Sequence, residues 1–272
     1  MNEAAWLQNA EAFLLDLDGT LYRGKEVIPD APDFIRWLEE TGRKYLYVTN
    51  NSSRRPDQVA EHLRRFGIPA EPEHVYTPSL VAAKYIAEQA EKQGQDPAGK
   101  RVYVIGEEGL HQALESVGCV ITDDNPEYVV QGIDRSFTYE KLKTASLAIQ
   151  GGATYIATNI DKALPTEIGL LPGAGSLLAA LRTASGTVPI VMGKPEARMI
   201  DFAVRELGVS KDRAVMVGDN LETDILAGVN AGVRTVLVLT GFSKEEHIET
   251  AQGKPTLILP SLTELMKQAN RS

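Results

Sequence analysis

Short, unbroken apolar runs alternate along this chain with segments of helical period. Strands that are apolar at every position are covered on both faces, and amphipathic helices between them carry the chain back to the same edge. The pattern therefore demands a parallel sheet with helices on each side. Ala12 to Leu17 reads as the first strand, and the segment from Asp30 to Thr41 sets Phe34, Ile35, Trp37 and Leu38 on one helical face before Gly42 ends it. Tyr45 to Thr49 is the next strand, followed from about Pro56 by a helix with Val59, Leu63 and Phe66. Toward the C-terminus, strands at Val188 to Met192, Ala214 to Val217 and Val233 to Leu239 alternate with helices carrying Met199, Ile200, Ala203, Val204 and Leu207, then Ile225, Leu226 and Val229. A last strand and helix fall around Thr256 to Lys267. These segments predict a doubly wound, Rossmann-like α/β core.

Between about Ala90 and Gly186 a second series of the same kind intervenes, entered through the polar stretch EKQGQDPAGK. Its strands read RVYVIG, YVVQGI and TYIAT, with a helix carrying Leu110, Leu114 and Val117 between the first two. We expect a core of residues 1–90 and 187–272, interrupted by a smaller α/β cap of residues 91–186 that closes over it as a lid.

Composition narrows the function classes. With 28 Lys and Arg against 37 Asp and Glu, the formal net charge of −9 leaves no basic footprint for a broad nucleic-acid face. The single cysteine, Cys119, can form no internal disulfide, which favours a reducing compartment. The N-terminal MNEAAWLQNAEAF carries acids where a signal peptide carries positive charge, and no apolar run approaches the ~18 residues of a membrane span, so a cytoplasmic location is expected. His62, His74, His111 and His247 show no metal-ligand spacing and read as structural or surface residues.

The chemistry gathers at strand ends. Asp16-Leu17-Asp18-Gly19-Thr20 closes the first strand, where the chain can turn and bring both carboxylates to one crevice. Carboxylates this close repel each other unless a cation sits among them, and hard oxygen ligands suit Mg²⁺. Asp16 can then attack phosphorus while Asp18 handles the proton. The same string also fits an ordinary Asp-Gly turn, but not a calcium loop, whose sixth and twelfth positions would fall on Leu21 and Val27. Thr49 and Asn50 open an anion cradle or, equally, a helix cap. Lys194, in Gly193-Lys194-Pro195, can hold a phosphoryl group or be a plain exposed lysine. It is not a Walker lysine, because Val188 and Pro195 stand where that motif needs Gly and Ser or Thr. Asp219, after Gly218, can complete a Mg²⁺ shell, with Asn220 and Asp224 behind it to orient Lys194 or a metal-bound water. Each has a turn or cap alternative. The first strand leads into D-x-D-G rather than G-x-G-x-x-G, which speaks against a dinucleotide-binding oxidoreductase.

Taken together and in order, Asp16-x-Asp18-Gly19-Thr20, Thr49, Lys194 and Gly218-Asp219 with Asp224 resemble the four-motif signature of the haloacid dehalogenase-like (HAD) hydrolase superfamily. The segment between Thr49 and Lys194, with VTNNSSR, ATN-x-D and GKP, is similar to its NagD or p-nitrophenylphosphatase-like branch, which carries a type-two α/β cap. The resemblance implies a Mg²⁺-dependent phosphatase of small phosphomonoesters, such as sugar or acid-sugar phosphates, working through an aspartyl-phosphate. It implies Asp16 as nucleophile and Asp18 as acid and base. Gly19, Thr49, Asn50 and Lys194 bind the phosphoryl group, and Asp16, the Asp18 backbone carbonyl and Asp219 hold the metal.

In the cap, Asp161 is expected to bind substrate hydroxyls and Lys162 a substrate carboxylate, with a solvated loop as the alternative. Ile160 departs from the frequent N-P-D pattern there. The expected partners are a small phosphorylated metabolite and a second copy of the chain, with no nucleic acid and no membrane. Two rival readings stay open at this point: a phosphotransferase or phosphomutase, and a non-catalytic sugar-phosphate sensor on the same fold.

Overall fold

The computed structural model describes residues 5–166 and 168–270. The chain forms two compact units, the larger built from the residues up to Thr49, from Asp57–Tyr76 and from Lys194 onward, the smaller from Asn50–Pro56 and Thr77–Gly193.

The larger unit holds a six-stranded, fully parallel sheet in the spatial order Leu257–Leu259, Arg234–Val238, Ala214–Gly218, Ala12–Leu15, Lys44–Val48, Val75–Tyr76. Ala12–Leu15 is buried at every position and pairs on both sides, Ala12 lying opposite Ala214 and opposite Lys44. Period-two alternation sends Phe13, Leu15, Tyr45, Tyr47, Val215, Val217, Val236 and Val238 to one face, where they meet Phe34, Trp37 and Leu38 from helix Ala31–Glu40, and Leu262 and Leu265 from helix Leu262–Asn270. The Phe13 ring stands edge-on to Phe34 and Trp37, with centroids 6.0 Å from each, adding about 0.5–1.5 kcal/mol per pair beyond simple burial. Helix Ala197–Leu207 packs on the Ala12–Leu15 and Lys44–Val48 strands, completing the expected doubly wound layers. The chain leaves the central strand for Lys44–Val48 on one side and returns at Ala214–Gly218 on the other. The switch point of the topology, where such sheets bind ligands, therefore lies at the carboxyl end of Ala12–Leu15.

The smaller unit has its own five-stranded parallel sheet, ordered Ile190–Val191, Thr154–Ala157, Tyr128–Gln131, Arg101–Ile105, Val120–Ile121, and a hairpin of Ala163–Thr166 with Gly169–Pro172. The strand expected at Val188 to Met192 in the core sheet is here corrected. It is Ile190–Val191, paired with Thr154–Ala157, and Val188 is 67% exposed. Backbone pairing explains the placement, because Met192 and Gly193 donate to the carbonyls of Ala157 and Thr158 at 2.9 and 2.7 Å. The chain rejoins the larger unit only at Lys194. Likewise, helix Pro78–Lys92, which a core running to residue 90 would include, packs on helix Glu108–Ser116 in the smaller unit.

Candidate active site

Within the larger unit, the ends of successive strands deliver the charged groups. Asp16 directly follows Ala12–Leu15, its amide donating to the Val217 carbonyl at 2.9 Å, so the side chain emerges at the switch point. Lys194 is almost fully buried. Its ammonium donates to Asp16 Oδ1 at 2.5 Å, to Asp224 Oδ1 at 2.7 Å and to the Val48 carbonyl at 3.0 Å. Asp219 follows Val217 and Gly218 on the neighbouring strand. The next residues, Leu221–Ile225, form one wide π-helical turn in which the Ile225 amide reaches the Asn220 carbonyl at 3.1 Å. That turn brings the Asp224 carboxylate back to Lys194 and to the Asn220 amide, 3.1 Å from Oδ2.

Burial and mutual repulsion set the electrostatics. Burial first, and then the Asp224 carboxylate, hold the Asp16 carboxyl well above its ordinary range; Lys194 pulls it down and Asp219 pushes it up again. Burial and Asp224 push Asp219 up to about 6. Burial works against the Lys194 ammonium, but Asp16 and Asp224 outweigh it and hold its pKa above the usual lysine value.

Asp16, Asp219 and Asp224 each place a carboxylate oxygen within 4.8 Å of the others, the one such group among the described residues. Both oxygens of Asp224 are engaged by Lys194 and the Asn220 amide. A hard divalent cation such as Mg²⁺ fits this all-oxygen donor set, and Mg²⁺ is the cofactor.

A pH dependence follows from the raised carboxyls. A group whose folded pKa lies above its unfolded value stabilises the fold below the unfolded pKa and loses that contribution as pH rises through the folded one. Lifting Asp219 from 3.8 to about 6 makes its ionisation on the order of 3 kcal/mol harder in the metal-free fold. The metal-free protein should therefore lose stability between about pH 4 and pH 6. Mg²⁺ favours the ionised carboxylates, so the rise in Tm that it produces over EDTA should be small near pH 5 and grow toward pH 7.5. Thermal melts with Mg²⁺ or EDTA across that range check this, and a Mg²⁺-induced shift that is largest at acid pH would contradict it.

The other expected residues divide between the units. Asp18 is exposed and its carboxylate accepts from the Gly24 amide at 3.4 Å, so it stands outside the buried trio. Gly19 adopts φ +93° beside Asp219, where a side chain would collide with that carboxylate. Thr49 is buried at the end of Lys44–Val48, and its amide donates to the Tyr76 carbonyl. Asn50, Asp161 and Lys162 belong to the smaller unit. There Asn50 Nδ2 donates to Asp161 Oδ1 at 3.2 Å, and the Asn50 backbone carbonyl accepts from Asn159 Nδ2.

Cys119 is buried, which pushes its thiol up to about 11, consistent with a packing residue rather than a nucleophile. His62 packs on Tyr22 and Phe66, and His74 on Tyr45 and Tyr47. Sequence reasoning missed the loop of residues 240–243, where the Phe242 amide donates to Asp219 Oδ2 at 2.6 Å. The only hint in the sequence is Thr240-Gly241 at the end of an apolar strand.

Comparison with known proteins points the same way. Residues 13–120 match the haloacid dehalogenase-like hydrolase family, and residues 191–265 match a second, HAD-hydrolase-like model. The chain is 48% identical over 258 residues to a 5′-nucleotidase of Bacillus subtilis, covering 95% of this chain and 98% of that one. It is 41% identical over 266 residues to an acid sugar phosphatase of Staphylococcus aureus, covering 97% and 100%. Among solved structures, a glycerol phosphate phosphatase of Mycobacterium tuberculosis in complex with magnesium is similar with a TM-score of 0.85 and 38% identity, over 96% of this chain and 77% of that one.

Proposed function

Because the chain belongs to the haloacid dehalogenase-like hydrolases and is a Mg²⁺-dependent phosphatase of small phosphomonoesters, we propose that Asp16, Asp18, Thr49, Lys194 and Asp219 carry out that hydrolysis. Asp16 attacks phosphorus in line. As the Asp16 Oδ–P bond forms the ester P–O bond breaks, and Asp18 gives its proton to the departing oxygen. Asp18, now a carboxylate, takes a proton from a water that attacks phosphorus. The Asp16 Oδ–P bond then breaks and inorganic phosphate leaves.

Thr49 and Lys194 hold the phosphoryl oxygens, and Lys194 also offsets the charge that would otherwise repel an anionic nucleophile from an anionic substrate. Asp16, Asp219 and the Asp18 backbone carbonyl hold Mg²⁺, which supplies further charge neutralisation when bound. Asp224 and Asn220 orient Lys194. The observation that carries this reading is the buried Lys194 ammonium clamped between Asp16 and Asp224, with Asp219 alongside.

The smaller unit is proposed as the cap, with Asp161 and Lys162 binding hydroxyls and a carboxylate of the leaving group. The relatives act on nucleotides, acid sugar phosphates and glycerol phosphate by name, and this proposal assigns sugar or acid-sugar phosphates to the present chain. A cytoplasmic setting is supported by the single buried Cys119 and the absence, among the described residues, of any helix long and apolar enough to cross a membrane. A homodimer through the smaller unit is supported by the exposed Ile168, Leu170 and Leu171 of its hairpin, and a monomer by light scattering would overturn it.

The test is inorganic phosphate released from a panel of phosphomonoesters, with p-nitrophenyl phosphate included, in Mg²⁺ or EDTA. The expected result is release that needs Mg²⁺ and ranks sugar phosphates first. Consumption of substrate without free phosphate would move the reading to a phosphotransferase.

A further inference from the structure

The loop that follows strand Arg234–Val238 is hydrogen-bonded both to the turn after Ala12–Leu15 and to Asp219. Thr240 Oγ1 donates to the Gly19 carbonyl at 2.7 Å, and the Thr240 carbonyl accepts from the Arg23 guanidinium of the Tyr22–Arg23/Glu26–Val27 hairpin. The Phe242 amide donates to Asp219 Oδ2 at 2.6 Å, while Thr20 Oγ1 approaches Oδ1 of the same carboxylate at 3.4 Å from the other side. The Ser243 amide donates to the Asp219 carbonyl at 3.0 Å, and Ser243 Oγ accepts from the Leu221 amide at 3.0 Å. Between these anchors Gly241 passes so close that a Cβ there would lie 2.0 Å from Asp219 Oδ2. Asp219 is thus held at its backbone and at both carboxylate oxygens, and the residues holding it are tied through Thr240 and Arg23 to the turn that carries Asp16 and Asp18.

We propose that the 240–243 loop, with Thr240 and Ser243 as positioning residues, fixes the Asp219 carboxylate in the orientation that sets Mg²⁺ affinity. A ligating carboxylate with one free rotor must be ordered when the ion arrives, and outer contacts that order it beforehand typically change metal affinity about 10- to 100-fold. Thr240 acts by joining the loop to the Gly19 carbonyl, Ser243 by locking the residues that flank Asp219. The exposed Phe242 contributes its backbone amide, so its ring can vary without touching the ligand.

The inference rests on the Mg²⁺-dependent reading, and its test does not use turnover. Mg²⁺ binding to the full chain without substrate is measured by calorimetry for wild type, Thr240→Val, Thr240→Ser and Ser243→Ala, with melts in EDTA to confirm folding. The expected result is a Kd for Mg²⁺ raised about 10- to 100-fold in Thr240→Val and in Ser243→Ala, and restored to near wild type in Thr240→Ser. Wild-type Kd values in folded Thr240→Val would overturn the inference and leave the metal reading intact. Should Thr240→Val fail to fold, Ser243→Ala decides alone on the same criterion. A wild-type protein that binds no Mg²⁺ would overturn both.

Discussion

Asp16→Asn is expected to abolish phosphate release, lowering kcat by about 10⁴-fold or more, while the protein stays folded. The amide has nearly the shape of the carboxylate but cannot form the bond to phosphorus. Folding is retained because Lys194 keeps Asp224 as its counter-charge at 2.7 Å, so the substitution strands no buried ion. It also removes one of three crowded carboxylates at a site where burial first, and then repulsion from Asp224, hold the Asp16 and Asp219 carboxyls above their ordinary range. The expected change in Tm is therefore small. Activity within tenfold of wild type in a folded Asp16→Asn protein would remove Asp16 from the nucleophile's role.

Lys194→Met should cost both activity and stability, which separates it from Asp16→Asn. Methionine fills most of the lysine's volume but leaves Asp16, Asp219 and Asp224 without the buried cation that two of them contact. Breaking a buried pair by deleting one partner costs about 3–5 kcal/mol, because the remaining charge is left uncompensated. The phosphoryl group also loses its ammonium, and a further loss of about 10³-fold in kcat is expected.

The pH dependence identifies the cause. Lys194 lowers the pKa of both Asp16 and Asp219, so without it both carboxyls rise further above their unfolded values. The variant's deficit should accordingly be smallest near pH 5, where they stay protonated, and grow as pH rises toward 8. Denaturant melts at several pH values check this. A stability deficit independent of pH would assign the effect to packing rather than to charge.

Much of this was legible in the sequence because the chemistry is punctual: Asp16, Thr49 and Asp219 each fall within a residue or two of the end of an apolar run. The first strand closes at Leu15 and the Ala214–Gly218 strand at Gly218, so Asp16 and Asp219 stand directly after them. What the sequence concealed was partnership. An apolar run such as Val188 to Met192 states that a strand exists but not which sheet it joins, and backbone bonds to Ala157 and Thr158 decide that. Asn50 adjoins Thr49 in the chain yet belongs to the other unit, with its side-chain amide on Asp161, because the unit boundary falls between the two residues. The 240–243 loop holds Asp219 largely through main-chain amides, which leave no side-chain signature to read.

In the proposed reaction the phosphoryl group passes through Asp16. Rapid acid quench of wild-type protein during turnover of p-nitrophenyl phosphate, followed by borohydride reduction and peptide mass spectrometry, tests it directly. Asp16 alone should be reduced to homoserine, in a modification that needs Mg²⁺ and is absent from Asp16→Asn. Steady release of phosphate with Asp16 unmodified at every quench time, or with the modification on another carboxylate, would contradict the proposed reaction.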